Sequence, residues 1–572
     1  MIKGARTTNQ RIVLLCATYL CLFGVLWVRC LYLQVFQSRP LARLAAAQHR
    51  ISQTLIAPRG NILDRDGRLL ATSVRAPSVF ANPHQVSSRE YLAGVVAPIV
   101  DRDAGLLKRR LGKDKGFVWL ARHVDRKAAG RLAPLRRHGI GVVEESRRIY
   151  PNGPLASHLV GFTNIDQQGL EGLELALDGV LRGRPGWEST LRDARGQTLI
   201  GPWTIHVDPQ PGADVVLTLD SVVQGMAEDA LSWGVKKFRA KGGTIVVMDP
   251  QTGAVLAIAT SPSFDPNQPG RVPTASRRNR ALTDLFEPGS VFKIVTAAAL
   301  LEERLVRPDE RVFCEQGSYK TIGRHILHDH HPHGWLTFHQ VIALSSNIGT
   351  AKTAQRLPPE TLYRYIRGFG FGQKTGLELP GEVSGIAAPP SRWSKLSPFI
   401  IPIGQEVAVT PIQLAVMTSV VANGGWKVKP YLVQRIQTAS GTILREHRPA
   451  PRERLLRDET IGVLHEMLSS VVASGTGRLA NIQGLTVAGK TGTAQKLEPT
   501  GRYSHSLFVA SFVGYGPVPD PRFVMVVSID EPRPLYFGGV VAAPIFKRTV
   551  EQLAGYWDLS PHRSPAMMVK VP

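Results

Sequence analysis

"EPGSVFKIVTAAALLEER" runs from Glu287 to Arg304 and sets a single lysine, Lys293, into an otherwise apolar stretch three residues after Ser290. Pro288 and Gly289 turn the chain, and the Val, Ile, Ala and Leu that follow predict a helix over Val291 to Glu303, buried on most sides. A buried ammonium is costly unless it has a partner or a task. Three residues is just under one turn, so Ser290 and Lys293 can share a face. A serine hydroxyl is a weak nucleophile at neutral pH, and a lysine whose charged form is disfavoured by apolar surroundings can take its proton. The same letters also suit a helix start whose lysine reaches back to solvent, so the pair needs company before it means catalysis.

Further along the chain, "LSSNIGTA" contains Ser345-Ser346-Asn347, a hydroxyl and a carboxamide two residues apart, a pattern that is by itself a common helix cap. "GLTVAGKTGTAQK" (Gly484 to Lys496) carries an apolar strand into Lys490-Thr491-Gly492-Thr493. A glycine there is expected to let a ligand backbone approach the strand edge, while the lysine and hydroxyls offer charge and donors to a carboxylate. Lys374-Thr375-Gly376 repeats three of these letters inside the Gly- and Pro-rich "GFGFGQKTGLELPGE", which reads as a loop.

Around these motifs the chain reads as strands at both ends of a domain with helices between. "GGTIVVMDPQTGAVLAIAT" (Gly242 to Thr260) predicts two strands about a turn, and "RFVMVVSID" (Arg522 to Asp530) another. Two further strands are expected to flank Lys490 and Thr491, and helices are expected at Ser221 to Ala240 and Thr410 to Ala422. That pattern implies an α+β fold, an antiparallel sheet covered by helices. Before Asp208 the chain is less apolar, with a hairpin expected in "APRGNILDRDGRLLATS" (Ala57 to Ser73) and helices around Leu106 to Leu135.

Ser-x-x-Lys, Ser-x-Asn and Lys-Thr-Gly in this order resemble the penicillin-recognising serine enzymes. "RIYPNGPLASHLVGFTNIDQQGLEGLE" (Arg148 to Glu174), "NRALTDLFEPGS", "IGQEVAVTPIQLAVMTSVVANGG" and "LYFGGVVAAPIF" (Leu535 to Phe546) extend the likeness to class B penicillin-binding proteins, from the anchor to about Gln552. "GFTN…QGLEGLE" resembles the division-specific type, penicillin-binding protein 3, more than the elongation type. The resemblance implies a penicillin-recognising transpeptidase domain preceded by a class B pedestal and a single transmembrane helix. Its divisions here would be a cytoplasmic tail (1–11), an anchor (12–36), a pedestal (37–208), a transpeptidase domain (209–555) and a C-terminal tail (556–572).

The same resemblance implies the roles. Ser290 would attack the penultimate D-Ala carbonyl of a stem peptide, Lys293 would take its proton, and Ser345 would relay a proton to the leaving amine. Asn347 would hold the substrate amide and Lys293, Lys490 would keep the site positive, and Thr491 and Thr493, about Gly492, would bind the terminal carboxylate. The backbone N–H groups of Ser290 and Thr493 would form the oxyanion hole. β-Lactams would acylate Ser290, no cofactor or metal is called for, and a polytopic glycosyltransferase with other divisome membrane proteins is the expected company. Departures from the family pattern are Val291 and Phe292, expected to alter the pocket wall, and Pro402. A carboxypeptidase, a β-lactamase, an elongation enzyme and a non-catalytic division scaffold are the alternatives.

The chain's bulk properties fit this picture. It has 572 residues, 43% hydrophobic and 20% charged, which is globular composition with room for more than one core. The net charge of +24 calls for an anionic partner: nucleic acid, lipid or acidic cell-wall precursor. No zinc-ligand spacing, RNA-reading signature or basic arm supports nucleic acid. Ile12 to Val28 is an uncharged run preceded by Lys3, Arg6 and Arg11 and followed by bulky residues. It therefore predicts an uncleaved signal anchor, with the N-terminus in the cytoplasm and the remainder outside it; the resemblance implies that the membrane is the bacterial inner membrane and the catalytic domain periplasmic. Only Cys314 lies in the exported part, so no disulfide framework is available. "HILHDHHPHGWLTFH" (His325 to His339) is dense in histidine but follows no metal-ligand frame and is expected to be a polar loop.

Overall fold

The computed structural model describes residues 2–41, 50–192, 198–199, 201, 204–323, 325–450, 453–498 and 501–559. Of the C-terminal tail expected over 556–572, only 556–559 lie among them, and Tyr556 still belongs to the helix Gly538–Tyr556. The chain divides into two compact units.

The first comprises residues 1–57 and 184–210. Its helix Ile2–Leu31 continues as a π-helical turn over Tyr32–Phe36. Asn9–Phe36 contains an 18-residue window with a mean hydropathy of 2.1 that is not buried against protein. At 1.5 Å per residue its 28 residues reach roughly 42 Å, enough to cross a hydrocarbon core. Strand Gly186–Arg192 pairs antiparallel with Arg50–Leu55 and with Ile205–Val207.

The second unit comprises residues 58–183 and 211–572. The predicted hairpin is present: Ile62–Leu63 pairs antiparallel with Leu69–Ala81, and Asp64 closes the turn by accepting from Asp66 N–H and Arg68 N–H. Ile62–Leu63 also pairs in parallel with Asp214–Leu217. Leu106 to Leu135 is less helical than expected. A helix at Ala104–Leu111 gives way to the strand Val118–Ala121, which joins the sheet beside Val79–Ala81 before a short helix at Arg126–Arg131. A charged knot ties this region together. Glu174, fully buried, accepts from Arg59 Nε (2.7 Å) and Arg148 Nε (2.6 Å), while Arg59 also reaches Asp178.

The five-stranded antiparallel sheet runs Val255–Ser261, Gly242–Met248, Phe523–Asp530, Tyr503–Gly516, Ala488–Leu497 in space. Its central strands read as largely apolar runs because both faces are covered. Ile245, Val247, Met525 and Val527 pack with Val223, Ala227 and Phe546 from helices Ser221–Lys237 and Gly538–Tyr556. Their neighbours Val246, Met248, Val524 and Val526 pack on the opposite face with Ile294, Ala298 and Met417. Each such side chain taken fully out of water contributes about 1.5–3 kcal/mol. Pro411–Ala422 is buried on every side; its few polar side chains, Gln413, Thr418 and Ser419, bond to backbone carbonyls, and its start is secured by a Thr410–Gln413 capping box. Lys490 and Thr491 lie within one strand, Ala488–Leu497, rather than between two. That strand is a sheet edge, paired on one side only.

Candidate active site

The expected helix at Val291 begins two residues later. Gly289–Phe292 is a single 3-10 turn, and the α-helix runs Lys293–Glu302. Ser290 therefore sits on a tighter coil, half-buried, while Lys293 is the first residue of the helix and wholly buried. Val291 and Phe292 do not line the pocket as expected. Both are fully buried, with Phe292 against Phe371 at 5.5 Å.

The nucleophile turn lies directly on the edge strand. A Cβ on Gly289 (φ +52°) would fall 2.7 Å from Thr493 O, and one on Gly492 would fall 2.8 Å from Val291 Cγ2 and 2.9 Å from Pro288 O. Gly492 is thus required for the protein's own packing, where the sequence had suggested room for a ligand backbone. The outcome is that Ser290 stands beside the backbone of Thr493.

Lys293 Nζ donates to Ser345 O (2.6 Å), Asn347 Oδ1 (2.7 Å) and Ser345 Oγ (3.2 Å). Those three bonds use all three hydrogens of an ammonium, so the lysine offers a lone pair only after losing one. Burial favours that loss, pushing Lys293 down to about 7 against the opposing pull of Asp329. Lys490 Nζ donates to the same Ser345 Oγ at 2.8 Å. Burial, and then the neighbouring Lys293, hold Lys490 well below its ordinary value. Two amines on one oxygen in a dry site do not both stay charged, so burial works against the fixed positive charge expected of Lys490. With both lone pairs of Ser345 Oγ occupied by lysine donors, its own hydrogen is left for a third partner.

Ser345 is held in the left-handed region, φ +62°, a strained backbone for a residue with a side chain. That turn closes the helix Phe338–Ala343, Ser345 N–H donating to Ile342 O (3.2 Å) and Ser346 N–H to Val341 O (2.9 Å), and the histidine-rich segment braces the residues that follow it. Asp329 accepts from Asn347 N–H (2.5 Å), Ile348 N–H (3.0 Å) and Ser346 Oγ–H (2.6 Å), and His328 O accepts from Asn347 Nδ2 (2.9 Å). The sequence reading passed over Asp329 entirely. Among the described residues no cluster of His, Cys, Asp and Glu suits a metal.

On the edge strand, Thr491 Oγ1 shares a hydrogen bond with Thr476 Oγ1 (2.8 Å), and Thr493 Oγ1 accepts from Gly538 N–H (3.0 Å). Period-2 alternation puts both hydroxyls on one face, beside the N-terminus of the 19-residue helix Gly538–Tyr556, whose dipole favours an anion. Phe537, next to that start, meets His330 edge-on at 4.5 Å, a rim contact between segments 207 residues apart that no local pattern signals. The Lys374-Thr375-Gly376 loop is distinct: Glu382 accepts from Thr375 N–H and Oγ1 and from Gly376 N–H.

Residues 243–551 match the penicillin binding protein transpeptidase domain, and residues 54–217 the penicillin-binding protein dimerisation domain. The chain belongs to the penicillin-binding protein transpeptidase family. Among its relatives, this penicillin-binding protein is 34% identical to the stage V sporulation protein D of Bacillus subtilis, over 94% of its own length and 84% of that protein's. It is 33% identical to the peptidoglycan D,D-transpeptidase FtsI of Escherichia coli, over 95% and 91%. Penicillin binding protein 3 of Mycobacterium tuberculosis, solved with aztreonam, superposes with a TM-score of 0.70 at 29% identity, covering 89% of this chain and 98% of that one. The α+β class B fold, a dimerisation domain followed by a transpeptidase domain, is thereby established for this penicillin-binding protein, with one N-terminal apolar helix long enough to span a membrane.

Proposed function

We propose that the protein is a peptidoglycan D,D-transpeptidase that cross-links stem peptides at the division septum through an acyl-enzyme on Ser290, the serine that β-lactams acylate. The observation that carries this reading is the convergence of two fully buried lysines, Lys293 and Lys490, on the Ser345 hydroxyl, beside the Ser290 turn and an open strand edge.

In that reading the donor peptide lies along Ala488–Leu497, its terminal carboxylate at the Thr491 and Thr493 hydroxyls and the nearby helix start. Neutral Lys293 takes the Ser290 Oγ proton as Oγ bonds to the D-Ala carbonyl carbon. The developing oxyanion receives the N–H groups of Ser290 and Thr493, where losing one donor costs about 3–4 kcal/mol of transition-state stabilisation. The Ser345 hydroxyl passes its proton to the leaving nitrogen, the C–N bond breaks, and Lys293 or Lys490 replaces that proton. An amine from a neighbouring stem then attacks the ester and Ser290 Oγ leaves with a proton. Asn347 orients Lys293 and the donor amide.

The domain divisions read from the sequence (1–11, 12–36, 37–208, 209–555 and 556–572) belong to the same proposal, with the N-terminus in the cytoplasm and the catalytic domain outside it. The septal assignment draws on the "GFTN…QGLEGLE" stretch and on the likeness to FtsI. A polytopic glycosyltransferase is the proposed partner of the anchor and pedestal.

Labelled penicillin on the full-length protein tests the chemistry. Covalent label on Ser290 that disappears in Ser290→Ala is expected, and folded protein that takes no label, or takes it elsewhere, would overturn the reading. A fluorescent fusion confined to the sidewall would remove the septal role. Co-purification of the glycosyltransferase that persists in protein beginning after Phe36 would remove the anchor's part in that contact.

A further inference from the structure

Residues 89–138 hold thirteen Lys and Arg against five Asp and Glu, a net +8 and one third of the chain's +24. The chemistry at Ser290 uses none of it. The segment folds over its own small core, in which Leu92, Val96, Leu107 and Leu120 are buried. On its surface lies a cleft of about 500 Å³, within the size range of ligand sites.

The cleft has an aromatic floor. Phe117 is 46% exposed, stacked on Phe80 at 4.7 Å and meeting Trp119 edge-on at 4.9 Å. Two of the arginines lining it are already employed. Arg122 pairs with Glu145 and Asp166, and Arg110 donates to the carbonyls of Trp119 and Leu120. Arg102, Lys113 and Lys115 also line it, and no carboxylate pairs with any of them among the described residues. The structure therefore presents uncommitted cations around a half-exposed ring that the core does not need.

We propose that this cleft binds an acidic glycan, an un-cross-linked peptidoglycan strand, as a second holding point remote in sequence from Ser290. Sugar rings offer C–H edges to the electron-rich face of Phe117, and the carboxylates of the peptide stems pair with Lys113, Lys115 and Arg102. An acidic peptide would use the cations but leave the ring face unanswered. A lipid surface would call for apolar side chains projecting into it rather than lining a recess. The identity of the polymer rests on the transpeptidase reading; the cleft and its charge do not.

The test uses the full-length protein in detergent, acylated with benzylpenicillin to close the Ser290 site, and purified peptidoglycan strands carrying tetrapeptide stems. Saturable binding that weakens with salt is expected, with roughly tenfold loss of affinity in Phe117→Ser and in the double variant Lys113→Gln, Lys115→Gln. Both variants alter exposed side chains and should acylate with penicillin at the wild-type rate, which reports the fold. Absence of saturable binding would overturn the proposal. So would affinity that follows the lysines but ignores Phe117, or equal binding of polyglutamate or phosphatidylglycerol vesicles with the same dependence. Failure of Ser290 labelling would instead remove the proposed transpeptidase activity, and the cleft would then be tested by the same Phe117 and lysine variants on unacylated protein, with thermal unfolding reporting the fold.

Discussion

Replacing Asp329 by asparagine tests whether the histidine-rich segment governs the catalytic turn. The carboxylate accepts three hydrogen bonds there, from Ser346 Oγ, Asn347 N and Ile348 N, at 2.5–3.0 Å. Asparagine keeps one acceptor oxygen for the backbone pair and turns an NH₂ toward the Ser346 hydroxyl. Three charge-assisted bonds become two neutral ones, which weakens the hold on Ser345 and Asn347 by about 3 kcal/mol. If half of that is felt at the transition state, acylation slows roughly tenfold. A second readout separates positioning from mere loosening. Asp329 opposes burial in setting Lys293 near 7, so removing its charge lets Lys293 fall further, and the rising limb of the acylation profile moves to lower pH. A turn that simply opened would admit water to Lys293 and move the limb upward. Stopped-flow acylation by a chromogenic cephalosporin, run from mildly acid to mildly alkaline pH, measures both. An unchanged rate, or a limb that moves up, would refute the argument.

In the wild type, acylation should rise with pH through about 7 and level above it if the neutral amine of Lys293 is the base, as proposed; a flat or falling profile in the same assay would contradict this. The unfolded chain holds a proton on this lysine up to its ordinary 10.5 while the folded one releases it near 7. Stability relative to Lys293→Met should therefore increase as pH rises through that window, as urea titrations would report. Gly492→Ala drives a methyl to 2.4 Å from Ser511 Oγ and 2.8 Å from Val291 Cγ2. It is expected to cost about 1–3 kcal/mol in denaturation and to slow acylation more than tenfold. Glu174→Gln leaves Arg59 and Arg148, both buried, without their shared carboxylate, a loss of about 3–5 kcal/mol. Thermal unfolding measures it, and a loss under 1 kcal/mol would mean the knot is replaceable.

The sheet was legible where local pattern and tertiary role coincide. Gly242–Met248 and Phe523–Asp530 are apolar at most positions because helices cover both faces, and a nearly continuous run between turn signals is how such a strand reads. The three catalytic segments were also legible, since each concentrates rare polar residues at a fixed spacing. What escaped was long-range. Asp329 acts on a turn 17 or more residues away through backbone N–H groups that carry no side-chain signature. The left-handed Ser345 escaped for a local reason: it closes the helix Phe338–Ala343, with Ser345 N–H and Ser346 N–H donating to Ile342 O and Val341 O, at a position where glycine is the usual signal. Gly492 was noticed for the wrong reason, because the pressure on it comes from Val291, some 200 positions earlier. The strand at Val118–Ala121 was lost among the Arg- and Leu-rich helical periodicity on either side of it, and only its pairing with Val79–Ala81 selects the extended form.

The five-stranded sheet ends on Ala488–Leu497, whose outer rim pairs with no sixth strand among the described residues. An unsatisfied rim of this kind ordinarily recruits whatever extended chain drifts past, which is how sheets seed aggregates. Here the vacancy doubles as a conformational filter. Only a segment already stretched can lay its amides against it, so coiled or folded peptides are turned away before any side chain is inspected. If the open rim promotes self-association, a covalently docked drug that shields it is expected to lower that tendency.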